Sequence, residues 1–192
     1  MLTPACVLID RMSSRASTPQ VLTSTDGRFQ LTVPGDWLKE TELNERADLQ
    51  AANRVRETYA AVISESKQDF TEEMTLERFT SVTRNAILAG VHSAQSAEPT
   101  PTSINGNPAL QYEIRGAVEG VNIVYIITTV ETSEHYHQIL TWTLPSRFDQ
   151  YRDTLLDVTR SFKEVGAVKP KSDASPPPPP ALPRSGSGVP KQ

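Results

Sequence analysis

The chain contains a single cysteine, Cys6, in 192 residues. That excludes an intrachain disulfide and a cysteine cage for a metal. Long apolar runs are missing as well. None approaches the roughly 20 residues that a helix needs to cross a bilayer. There is no basic excess: 19 Lys and Arg stand against 23 Asp and Glu, for a net charge of -4. Nucleic-acid binding requires a basic footprint, so that class is set aside. No Gly-x-Ser-x-Gly elbow occurs, and Gly116 and Gly120 flank a hairpin rather than opening a helix. A nucleophile elbow and a phosphate-cradling loop are therefore both absent. The polar residues suggest no nucleophile, base and orienter set by their spacing, and no cofactor is implied. Hydrophobic residues make up 37%, below the roughly 45–50% of an average domain, and the 15 prolines are concentrated near the C-terminus.

Residues 104–144 carry the strongest pattern, three antiparallel strands in a meander. The middle one, residues 120–131, is apolar on both faces. Ile123, Tyr125 and Ile127 point one way and Val124, Ile126 and Val130 the other. A strand of this kind sits inside a sheet with material packed on each side. Before it, Leu110, Tyr112 and Ile114 alternate with Gln111, Glu113 and Arg115, which are expected on a wet face. After it, Tyr136, Leu140, Trp142 and Leu144 share a face, so Trp142 is expected in the core.

Upstream, Asp26-Gly27 marks a hairpin over residues 21–33, in which Phe29, Leu31 and Val33 form the buried face. Trp37 follows and is expected to plug the end of the core. Residues 47–53 and 58–64 read as a second strand pair, with a continuous helix over 44–61 as the competing reading. Residues 75–90 form a helix capped by Thr75, with Leu76, Phe79, Val82, Ala86 and Ile87 as its apolar stripe. Pro99 and Pro101 break a polar strand or arm over residues 91–104. A second helix starts at Ser146, expected to cap with Asp149 three residues on, and ends near Lys163. Phe148, Tyr151, Leu155, Leu156 and Phe162 lie on its stripe.

Three stretches follow from composition. Residues 1–20 form a linker-like arm, 21–168 a folded domain, and 169–192 a disordered Pro/Ser/Gly-rich tail whose run Pro176–Pro180 suits a stiff spacer. At Leu2-Thr3-Pro4-Ala5-Cys6, a small residue precedes the cysteine as at the end of a bacterial lipoprotein signal. Only five residues come before Cys6, and they carry neither a charged nor an apolar region. Two readings stay open. Cys6 is a free thiol on an unstructured start, or it is the lipidation site of a signal whose beginning lies upstream.

The run Asp26-Gly27-Arg28-Phe29-Gln30-Leu31-Thr32-Val33-Pro34 with Trp37 resembles the opening of the PsbP-like α/β/α sandwich domains. Ile104-Asn105-Gly106-Asn107-Pro108-Ala109 resembles the hairpin that begins their central sheet, and Ser161-Phe162 the close of their last helix. That superfamily includes PsbP, DcrB-like envelope lipoproteins and a Ran-binding nuclear transport factor. The resemblance implies an α+β fold, an antiparallel sheet flanked by helices with a small N-terminal hairpin. It also implies a non-enzymatic accessory or protein-binding module. The acidic balance and lone Cys6 sit best beside the bacterial envelope members, with the membrane reached only through Cys6. If Met1 is the true start, a cytoplasmic partner-binding protein is expected instead. A small-molecule or metal-binding protein is a third reading.

Among candidate residues, His135 and His137 project on one face of a strand and could share a cation, with Glu134 or Glu131 nearby. Two ligands without a firm third favour solvated histidines and no metal site. Asp69, Glu72 and Glu73 are explained by the positive end of the following helix. The contact surface for a partner is expected on the face bearing Gln111, Glu113 and Arg115.

Overall fold

The computed structural model describes residues 18–70 and 73–165. Cys6, Glu72 and the proline run fall outside them. Eleven strands and two helices follow one another. They are β1 (Gln20–Thr23), β2 (Phe29–Val33), β3 (Leu38–Lys39), β4 (Leu49–Asn53), β5 (Thr58–Ser66) and α1 (Leu76–Gly90), then β6 (His92–Ser96), β7 (Thr100–Ile104), β8 (Asn107–Val118), β9 (Val121–Glu131), β10 (His135–Thr143), α2 (Phe148–Arg160) and β11 (Lys163–Glu164). The large sheet runs β3-β4-β5-β10-β9-β8-β6, and β7 pairs with another part of β8. All its pairings are antiparallel. A small second sheet runs β1-β2-β11.

The meander reads as expected, because alternation over Leu110–Arg115 of β8 and the tight turns fix the register. The turns that join it are tight. Asn105-Gly106 and Glu119-Gly120 both place two successive residues at positive φ, 48° and 82°, then 50° and 83°. Those are the conformations a two-residue hairpin demands. The strand pair β4–β5 rules out the helix over 44–61. The polar stretch over 91–104 takes its strand reading, as two strands rather than one, and Pro101, which has no amide to donate, lies in the second.

α1 packs on one face of the large sheet, against β8, β9 and β6. α2 and the small sheet share the other face. Phe29, Leu31, Val33 and Trp37 meet Leu155, Leu156, Val158 and Phe162 there, over Val124, Ile126 and Ile139. The architecture is an α/β/α sandwich in the α+β class.

Three local expectations are corrected. In α1 the buried positions are Leu76, Phe79, Thr80 and Thr83, while Val82 and Ala86 are exposed. The two threonines bury because their hydroxyls bond back to the carbonyls of Leu76 and Phe79. Thr75 does cap α1, accepting from the Arg78 amide. Ser146 caps nothing: Pro145 opens a single 3-10 turn, Pro145–Arg147, and Ser146 lies inside it. α2 ends at Arg160 rather than Lys163, since residues 163–164 are needed to pair with β2.

Candidate functional site

The histidines of β10 form the most connected polar cluster. Tyr136 points toward α1, so His135 and His137 point to the other face, under the small sheet. There β11 brings a third group that spacing did not reveal. Glu164 Oε1 lies 2.9 Å from His137 Nε2 and 3.3 Å from His135 Nδ1. Thr132 donates to the same oxygen at 3.0 Å. Ser64, opposite His137 on β5, lies 2.8 Å from Nδ1. Arg28, in the hairpin loop, reaches His135 Nε2 at 2.7 Å and is itself paired with Asp26.

Donor chemistry orients this chain of bonds. A guanidinium only donates, so His135 Nε2 accepts and Nδ1 carries the proton toward Glu164. An ionised Glu164 only accepts, so His137 donates from Nε2, and Nδ1 accepts from Ser64. Burial pushes the His137 pKa below its ordinary 6.5, against the pull of Glu164. Partial burial works to raise Glu164, but the bonds from His137 and Thr132 prevail and hold it below 4.5. The ring of His137 is wedged between Phe29 and Phe162, with centroids at 5.7 and 4.8 Å.

Two chemistries suggest themselves. Ligand atoms of His135, His137 and Glu164 lie within 4.8 Å of one another, close enough to hold a divalent cation. The fit is poor, because every ring nitrogen is already used and the Arg28 cation occupies the outer side of His135. Ser64, His137 and Glu164 also supply a nucleophile, a base and an orienting acid, a combination that spacing had hidden. His137 is only 1% exposed, however, and the Ser64 hydroxyl is turned inward onto its Nδ1, so the base of such a set is sealed from solvent. The cluster is a clasp that ties the hairpin loop and the last strand to the large sheet.

The face expected to be wet is partly covered. Gln111, Glu113 and Arg115 lie on the α2 side. Arg115 stacks over Phe148 at 4.8 Å, Glu113 pairs with Arg152 at 3.6 Å, and Gln111 bonds Thr128 at 2.8 Å. Parity along β8 was right, but α2 lies over that edge.

The α1 face holds the opposite surprise. Leu38, Ala52, Tyr59, Trp142, Tyr125 and Ile114 form one continuous cross-strand row. α1 covers the Ile114 end; toward the other end Tyr125, Trp142 and Tyr59 are half-buried, Ala52 is buried and Leu38 lies open to solvent. Leu38 is 71% exposed, and Trp142 is half-buried rather than core. Tyr59 stacks on Trp142 at 5.3 Å with an interplanar angle of 13°, and Tyr125 tilts against it at 5.5 Å.

No protein-family model matches the chain, and no curated protein matches it in sequence. Solved structures do match. The chain is similar to the cyanobacterial PsbP protein CyanoP from Synechocystis sp. PCC 6803, with 17% identity over 86% of this chain and 99% of that one, at a TM-score of 0.59. It is similar to LpqN from Mycobacterium tuberculosis, described as involved in cell envelope biogenesis, with 13% identity over 76% of this chain and 90% of that one, at a TM-score of 0.56. A Bacteroides thetaiotaomicron structure aligns at 10% identity over 76% of this chain and 48% of that one, at a TM-score of 0.54. At such identities the likeness is one of fold, and the fold is the PsbP-like α/β/α sandwich.

Proposed function

We propose that this domain is a non-catalytic accessory module of the bacterial envelope that binds another protein. The observation that carries the reading is the group Leu38, Tyr59, Trp142 and Tyr125, one exposed and three half-buried apolar and aromatic side chains on the sheet face beyond α1. Aromatic side chains that are rigid, amphipathic and partly exposed are what protein interfaces use as anchors. Its polar surroundings, including Glu40 paired with Arg54 at 2.9 Å, suit the rim of such a site. The envelope location is supported by the description of LpqN and by the Leu2–Cys6 stretch, with Cys6 as lipid anchor. The sealed His137 supports the non-catalytic part. The test is recovery of envelope proteins on immobilised wild-type and Tyr59→Ala/Trp142→Ala domains. A protein that is retained by the wild type, lost with the double variant and retained by a Gln150→Ala control supports the reading. Equal recovery on all three refutes it.

A further inference from the structure

A cavity of about 470 Å³ lies on the other side of the molecule, between α2, the end of β2 and the start of β5. Val33, Pro34, Trp37, Tyr151 and Val158 form the apolar part of its wall. That volume falls in the roughly 300–1,000 Å³ range of small-molecule sites. Polar residues share the lining, and two of them matter most. Asp36 follows the Pro34-Gly35 turn, and Thr58 begins β5. Each carries an oxygen that is sealed from water and has no hydrogen-bond partner, Asp36 Oδ1 and Thr58 Oγ1. Thr143, directly across from Thr58 on β10, leaves its hydroxyl unpartnered as well. Three of the four such atoms among the described residues therefore gather at this one end of the sheet. Buried polar atoms are nearly always paired, so a cluster of orphans beside a cavity asks for a missing partner.

The chemistry of that partner follows from the donors and acceptors present. Asp36 Oδ2 is already matched by Arg56 at 3.1 Å, which leaves Oδ1 as a spare acceptor of negative character. A spare carboxylate oxygen calls for a donor, and a charged donor best. Thr58 can accept a second hydrogen from the same head group. Arg56 is held by Asp36, and the remaining charged residue of the wall, Asp157, pairs with Arg160 at 3.0 Å. Among the described residues, no free cation lines the cavity to receive an anion. The Asp36 side chain remains 29% exposed in its loop, so its carboxyl is able to turn toward an occupant.

We infer that this cavity is a binding site for a small organic amine, whose apolar body fills the space beside Trp37 and Val158 and whose ammonium bonds Asp36 and Thr58. The site is separate from the aromatic row, which lies on the opposite face of the large sheet.

Three probes of one size separate the possibilities: phenethylamine, the neutral phenethyl alcohol and the acid hydrocinnamate. Each is titrated into the full-length ¹⁵N-labelled chain, following the amides of Asp36, Trp37 and Thr58 and the Trp37 indole. The expected result is saturable shifts at these groups, with phenethylamine at least tenfold tighter than hydrocinnamate. Asp36→Asn should abolish that preference while phenethyl alcohol still binds, and Thr58→Val should weaken the amine alone. Absence of shifts at these groups, shifts confined to other surfaces, or an amine preference below tenfold overturns the inference. The comparison of amine with acid on the wild type decides even where Asp36→Asn proves unstable.

Discussion

Removing Glu164 tests whether the clasp is structural. In Glu164→Ala, His137 loses the acceptor for its Nε2 proton. The ring is 1% exposed in the wild type, so water can reach it only through the space that Glu164 vacates. An orphaned buried donor costs about 1–3 kcal/mol, and the lost Thr132 bond adds about 0.5–1.5 kcal/mol. The ionic part of the contact is discounted because the Glu164 side chain is 31% exposed and screened. A loss of about 2–4 kcal/mol follows, which is a fall in Tm of about 5–12 °C for a domain of this size. Glu164→Gln keeps an acceptor of the same reach and should cost no more than about half as much. Urea unfolding followed by circular dichroism at pH 7.5 gives both values. The pH dependence has a definite sign. His137 in the folded state titrates below its ordinary 6.5, so its contribution is complete above that pH and is lost as pH falls below it. Glu164 titrates below 4.5 when folded, so its contribution is lost only below that value. Stability of the wild type should therefore begin to fall from about pH 6.5 downward, and His137→Asn should flatten that first decline. A Glu164→Ala cost below about 0.5 kcal/mol, or equal costs for Ala and Gln, would refute the clasp.

Gly116→Ala should destabilise by about 1–3 kcal/mol in the same urea assay, since an added Cβ would meet Val91 Cγ1 at 2.4 Å and the His92 carbonyl at 2.8 Å. The two tryptophans should separate: Trp37→Ala, at 2% exposure, should cost about 3–5 kcal/mol and half-buried Trp142→Ala clearly less, with steady-state quenching by acrylamide stronger at Trp142. Zinc titrated by calorimetry should show no stoichiometric tight site, because a cation would have to displace Arg28 from His135 and both protons from the Glu164 contacts.

The parts of the fold that were legible in the sequence depend on near neighbours. Alternation in Leu110, Tyr112 and Ile114, and the turns Asn105-Gly106 and Glu119-Gly120, are local signals, and they specified strands, register and hairpins. What sequence could not supply is which face a helix covers and how far. Alternation puts Trp142 on the correct face, yet α1 stops short of it, so a residue of core type is left half-buried. Glu113 and Arg115 have the alternation of a wet face but lie beside α2. The Val82 and Ala86 misassignment has a different cause. Hydropathy ranks threonine as polar, whereas Thr80 buries its hydroxyl against Leu76 and shares a 2.5 Å bond with Thr129. Glu164 carries no signal at all. It is an ordinary glutamate 27 residues beyond His137, and the two-residue strand β11 alone places it there.

The proposed meeting point with another protein is the Leu38 end of the aromatic row. A photoreactive phenylalanine analogue placed at Leu38, and at Gln150 on α2 as a control, tests it in the native host under irradiation. The account predicts one dominant cross-linked adduct from position 38, carried by a protein partner, absent from position 150 and lost when Trp142→Ala is added. Adducts of the same partner at position 150, or none at position 38 in a domain that folds normally, would contradict it.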